Sequence, residues 1–328
     1  MSAPADITPG ASPEAAAAAR ADLRPTKPLY WSVRRELWEN RSIVIAPLAV
    51  AAVMLFGALV AAFVRHTVTA VRTTTTMAQG ARVTTKGVTV LHGSSAAGWA
   101  ESSGVALLVT LFIVAVFYCL GALHNERRDR SILFWKSLPV SDLTTVAAKA
   151  IVPLAILPLT VLGITLATQL LVLLINTASI AARGGNVAEL WTQAPLASLP
   201  LVVVYTLATA TLWWAPLYGW LLLVSGWARR APFLWAVLPP LLVALAEKIA
   251  FGTGYVSSMI SYRLLGVLQQ AFVVPTKAAF KAGTAFPGGL PEMDPAKFLS
   301  TPGLWIGLAV AGAFLAAAIW LRRYREPI

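Results

Sequence analysis

Apolar residues fall in long uninterrupted blocks along this chain, separated by short polar or basic stretches. A helix needs about 20 apolar residues to cross a hydrocarbon core about 30 Å thick. Six blocks meet that length and predict spans near 43–64, 103–123, 147–175, 200–226, 232–251 and 302–321. Neither Ile43–Val64 nor Ser103–Leu123 holds a charge. At the last span Thr301 is placed to cap and Pro302 takes the first helical position. The third block carries Pro153 and Pro158, which predicts a kink or tilt. The fifth carries Pro239 and Pro240 and ends in Glu247 and Lys248, which predicts a broken or tilted helix.

Two shorter patterns flank these spans. In Leu29–Ser42 the residues Tyr30, Val33 and Leu37 recur at helical spacing, Trp31 and Trp38 flank them, and Arg35, Glu36 and Glu39 lie opposite. That is the pattern of an amphipathic helix lying in the membrane plane, with Arg34 and Arg41 snorkelling. Between the second and third spans, Glu126 and Arg130 are four apart, acid first, and predict a short helix that Pro139 ends. Ser141 or Asp142 then caps the third span. Of the remaining loops, Arg65–Ser102 is rich in Thr and Val, with a candidate hairpin turning at Lys86-Gly87. The segment 247–301 contains semi-apolar Tyr255–Val274, expected to form one or two helices dipping back into the membrane, and then a Gly/Pro-rich turn region.

Composition agrees with the pattern. The chain is 58% hydrophobic and 12% charged, with mean hydropathy +0.72, against about 45–50% and about 25% in soluble domains. The formal charge of +12 is expected of a protein that keeps Lys and Arg on one side of a membrane, so no nucleic-acid partner is implied. Most of the basic residues fall on one side when the N-terminus is placed inside: Arg20, Arg24, Lys27, Arg34, Arg35, Arg41, Arg127, Arg128, Arg130, Lys136, Lys149, Arg229, Arg230, Arg322, Arg323 and Arg325. Both termini are then cytoplasmic, at a cell (inner) membrane. Met1–Ala21 reads as part of a disordered tail (1–28) rather than a cleavable signal peptide. The rest, 29–328, reads as one membrane domain. The fold class is therefore an all-α membrane protein with about six transmembrane helices.

The search for chemistry is negative. No Gly-x-x-x-x-Gly-Lys-Ser/Thr phosphate loop, His-Glu-x-x-His or Gly-x-Ser-x-Gly occurs. The lone Cys119 permits no intrachain disulfide and no cysteine metal site, and His66, His92 and His124 fall in three separate loops. Polar positions inside the spans are Thr168 and Gln169, then Thr206, Thr209 and Thr211. They either line a substrate path or bond within the helices. In the second cytoplasmic loop, Phe134 and Trp135 are large apolar groups beside basic ones. Two readings stand: an interfacial anchor on lipid headgroups, or a docking knob for a soluble protein.

At this loop the chain resembles the ABC-2 type permeases, the membrane subunits of ATP-driven exporters. The residues concerned are Glu126-Arg127-Arg128-Asp129, Ile132–Trp135, Ser137–Ser141 and Lys149. The opening Arg35-Glu36-Leu37-Trp38-Glu39-Asn40-Arg41 and the last span, after Phe298-Leu299 and up to Arg322-Arg323, are also similar to the family. The likeness covers Leu29 to Arg325; Pro239-Pro240 and the Thr-rich loop depart from it. The resemblance implies six spans per subunit working as a dimer with a second copy or a related permease. It implies a cytoplasmic coupling helix and an external helical insertion before the last span. It also implies docking of a separate ATP-binding cassette subunit through Glu126, Arg127, Arg128, Asp129, Arg130, Phe134, Trp135 and Lys136. ATP and Mg would belong to that subunit, and no cofactor to this chain. Two rivals remain at this point: a membrane anchor or signalling subunit that transports nothing, and a membrane enzyme acting on lipid.

Overall fold

With no water to satisfy it, a backbone in hydrocarbon must pair with itself, and a single apolar block does so only as a helix. The computed structural model describes residues 28–64, 69–78, 81–90, 96–129, 141–193, 198–273 and 293–324. The chain order opens with α1 (Pro28–Glu39), α2 (Ser42–Val64), β1 (Thr69–Ala78), β2 (Ala81–Val90), α3 (Ala96–Ala122) and α4 (His124–Arg128). It continues with α5 (Asp142–Ile151), a π-helical turn (Val152–Ile156), α6 (Leu157–Ala182), α7 (Val187–Gln193), α8 (Ser198–Trp227) and α9 (Pro232–Phe251). It closes with α10 (Tyr255–Leu265), α11 (Val267–Ala271), α12 (Pro295–Ser300) and α13 (Pro302–Tyr324).

Six stretches are helical, long and apolar enough to cross a membrane: Ser42–Ala62, Gly104–Arg128, Asp142–Ala182, Leu199–Trp227, Pro232–Phe251 and Pro302–Tyr324. Each falls on a span expected from the sequence, and together they have the length and composition of a multi-pass membrane protein. The bundle packs α8 along α13, α2 along α6, and α3 against α6 and α8. Its core includes Leu107, Leu111, Leu157, Val161, Trp213, Tyr218, Leu222 and Leu304, all buried. Gly219 brings α8 close to α13, because a Cβ there would stand 3.1 Å from the Ala311 carbonyl oxygen.

Proline is handled differently in the two spans that contain it. Ser141 caps α5 by accepting from the Thr144 N–H at 3.1 Å. A few residues on, Pro153 has no N–H for the Lys149 carbonyl, and its ring crowds that carbonyl. The wider π turn Val152–Ile156 takes up the misfit without ending the helix. In α9, Pro239 and Pro240 lie inside an unbroken helix, so the expected break does not occur. Pro240 leaves the Ala236 carbonyl without its usual donor, and the Trp220 indole of α8 fills the gap, Nε1 to oxygen 3.1 Å. Trp220→Phe keeps the ring contact with Phe314 but strips that donor. It is expected to cost about 2 kcal/mol, readable as a lowered unfolding temperature in detergent.

The helical body has one exception among the described residues, a two-stranded antiparallel hairpin of β1 and β2. Thr69 pairs with Val90 and Ala78 with Ala81. The sequence placed a turn at Lys86-Gly87, but these residues lie within β2, opposite Thr73 and Arg72. At this same end of the bundle, Tyr255–Leu265 and Val267–Ala271 form the two helices expected there. Glu247, on the last turns of α9, organises their start. Its carboxylate accepts from Thr253 Oγ1 (2.6 Å) and from the backbone N–H groups of Tyr255 (2.6 Å) and Val256 (2.7 Å), capping α10.

Candidate functional site

At the opposite end, α1 is turned differently from its apolar arc. Tyr30, Trp31 and Trp38 face outward, and the Arg34 guanidinium sits over the rings of Trp31 (5.4 Å) and Trp38 (5.1 Å). Leu37 packs against the core, and Glu36 beside it is 1% exposed. A buried carboxylate is costly unless it is paired and hydrogen-bonded. Glu36 is both. Its Oε1 accepts from Lys149 Nζ (2.8 Å) and Arg35 Nη2 (3.0 Å), and its Oε2 from the Tyr118 hydroxyl (3.0 Å).

A second buried carboxylate shares those cations. Glu126 Oε1 lies 3.1 Å from Lys149 Nζ and 3.0 Å from Arg35 Nη2, and its Oε2 accepts from Arg322 Nη1 at 2.6 Å. Arg322 Nε reaches Asp142 at 3.1 Å. The result is a balanced cluster of Glu36, Glu126 and Asp142 against Arg35, Lys149 and Arg322. It joins α1 to α3, α4, α5 and α13. Glu39 touches its edge, 3.4 Å from Arg35 Nε. Partial burial lifts the Glu39 carboxyl above its ordinary range, against the opposing pull of Arg35.

The junction of α3 and α4 is fixed to the end of α8. Ser225 Oγ accepts from the N–H groups of Leu123 (3.0 Å) and His124 (2.9 Å) and donates to the Leu120 carbonyl (2.8 Å). Arg127 Nη1 donates to the Gly226 carbonyl at 2.8 Å. His124, expected in an open loop, is buried with Nδ1 3.2 Å from the Ala228 carbonyl oxygen.

This geometry divides the expected docking residues. Glu126 and Arg127 are turned inward, because each meets partners from distant parts of the chain. Arg128 and Asp129 face out and pair with each other at 3.0 Å. Arg130, Phe134, Trp135 and Lys136 lie outside the described residues. The expected path residues are more conservative in their bonding. Thr168 donates to the Ile164 carbonyl (2.7 Å), Thr206 to Val202 (2.7 Å) and Thr209 to Tyr205 (2.8 Å), each one turn back in its own helix. Gln169 is buried on α6, its Nε2 close to the position a Cβ on Gly104 would occupy (3.9 Å). Among the described residues no group of three or more His, Cys, Asp or Glu is placed to hold a metal ion.

The sequence named Glu36, Lys149 and Arg322 in three separate local patterns but did not bring them together, and it did not name Tyr118. A signal existed: the polar face of α1 carries Arg35, Glu36 and Glu39, and a face of that kind beside a membrane needs partners. The charges of the cluster are matched, and its hydrogen bonds join elements far apart in the chain. Comparison with family models, with curated proteins and with solved structures finds no match to this chain.

Proposed function

We infer that this chain is the membrane subunit of an ATP-driven exporter, moving its substrate with energy from a separate ATP-binding subunit. The observation that carries the reading is the buried charge cluster. It ties the in-plane helix α1, the α3–α4 junction, the base of the third span and the end of the last span into one block. A push on the loop after α4 would therefore reach several spans together, which is what coupling to a soluble motor requires. The absence of a phosphate-binding loop in the sequence agrees with ATP being handled elsewhere. So do the resemblance of 29–325 to the ABC-2 permeases and the helical insertion before the last span. On this reading the contact is made by Arg128, Asp129 and the segment through Lys136, with Glu126 and Arg127 as its internal support.

The test is co-purification in mild detergent, with and without Arg128→Ala and Trp135→Ala. A stoichiometric ATP-binding subunit on the native chain, lost from the variants while they remain folded, is the expected result. Recovery of the native chain with no ATPase, under conditions that preserve the fold, would overturn the reading in favour of an anchor or signalling subunit.

A further inference from the structure

Far from the charge cluster, Arg263 near the end of α10 is a cation with no carboxylate partner among the described residues. Its Nη2 donates to the Gly303 carbonyl (2.8 Å) and its Nη1 to the Trp213 carbonyl (3.3 Å). The guanidinium carbon lies 4.6 Å from the Trp213 ring centre, and the Trp213 indole donates back to the Arg263 carbonyl at 3.1 Å. Gly307 makes room for the group, because a Cβ there would stand 2.7 Å from both terminal nitrogens. Trp213 lies near the middle of α8 (Ser198–Trp227), and Gly303 lies in the first turn of α13. The charge therefore sits at the outer end of the last span, held on backbone carbonyls of two spanning helices.

The described acids of the same outer segment, Glu247 and Asp294, are committed elsewhere. Glu247 accepts three bonds at the start of α10, and Asp294 caps α12 through the Lys297 N–H at 2.9 Å. The two carbonyls occupy two of the five N–H groups that a guanidinium carries. Exposed apolar residues lie along the same helices: Met259 one turn before Arg263 on α10, and Ile306 next to Gly307 on α13. A small hydrated anion has little reason to enter such a place; a charged head on an apolar chain does.

We propose that Arg263, held over Trp213, binds the anionic headgroup of an amphiphile, a phosphate or carboxylate carried on an apolar chain. The guanidinium fork takes two oxygens of the head, and the exposed apolar side chains of α10 and α13 take the chain. The site is testable without transport.

The measurement is native mass spectrometry of the full chain in a neutral detergent, titrated with dodecyl phosphate or with dodecylphosphocholine. The native protein is expected to retain dodecyl phosphate at about ten-fold lower concentration or better, the worth of charge-assisted hydrogen bonds. Arg263→Gln removes the preference, and Arg263→Lys keeps part of it as a point charge. No headgroup preference in the native protein overturns the proposal whatever the variants do, so a misfolded Arg263→Gln leaves it testable. An unchanged preference in folded Arg263→Gln also overturns it. Inorganic phosphate in excess is expected not to displace the amphiphile; full displacement would reassign the site to free phosphate and sink the amphiphile assignment.

Discussion

Lys149→Met is expected to lower the free energy of unfolding by about 3–5 kcal/mol, measured by denaturant titration in detergent. Lys149 Nζ stands between Glu36 Oε1 at 2.8 Å and Glu126 Oε1 at 3.1 Å, with all three side chains buried. Removing it leaves three acids against two bases around two buried glutamates, and Arg35 alone bridges them. The cost comes from the stranded charge rather than from the pair as such, since a buried ion pair often does little better than an apolar replacement. Glu36→Gln in the Lys149→Met background should therefore recover part of the loss, because Glu126 and Asp142 then balance Arg35 and Arg322. A cycle in which the two losses simply add would show that the cluster does not act as a unit.

The second large effect is at the other end. Trp213→Ala is expected to cost about 3 kcal/mol and to loosen α10–α12 first. Trp213 is wholly buried, edge-on to Tyr262 (5.1 Å) and 6.2 Å from Phe298. In a bilayer the transfer of apolar surface out of water contributes little, so the cost is the cavity and its lost contacts. Trp213→Phe keeps most of that packing and loses the bond to the Arg263 carbonyl, and should cost about 1 kcal/mol. Hydrogen exchange provides the check: faster exchange in 255–271, with 142–151 unchanged, is expected for Trp213→Ala. Equal loosening at both ends would mean the two ends are not separate cooperative units.

The spans were legible because apolar runs of twenty residues report their own length. Ile43–Val64 and 302–321 meet their helices within a few residues. Helix starts that rest on local chemistry were legible too, as with Ser141 and Pro302. What escaped was pairing at long range. Glu126 and Arg127 read as solvent-facing because charge is the usual mark of a surface, and their partners are scattered along the chain: Lys149, Arg322 and the carbonyl of Gly226. α1 shows the limit of periodicity: its spacing separated two faces but did not tell which sector would turn inward. Leu37 beside Glu36 makes the inward face mixed, packing and pairing at once. The hairpin was found but its turn misplaced, since alternating Thr and Val allow several registers. The π turn also had only half a signal: Pro153 announces a disturbance, and packing decides whether it becomes a kink or a widened turn.

That widened turn has a mechanical consequence. From Leu157 to Ala182, α6 is 26 residues long, an arm of about 39 Å. Its base adjoins the turn Val152–Ile156, three residues beyond Lys149. A swing of only about 5° at the turn would carry the tip of the arm through about 3 Å, enough to part or seal side chains in contact. The clamped segment and the long arm together make a lever: little movement at the base gripped by charges, more at the tip, where Ser179 holds the Ala62 carbonyl and α2 moves with it.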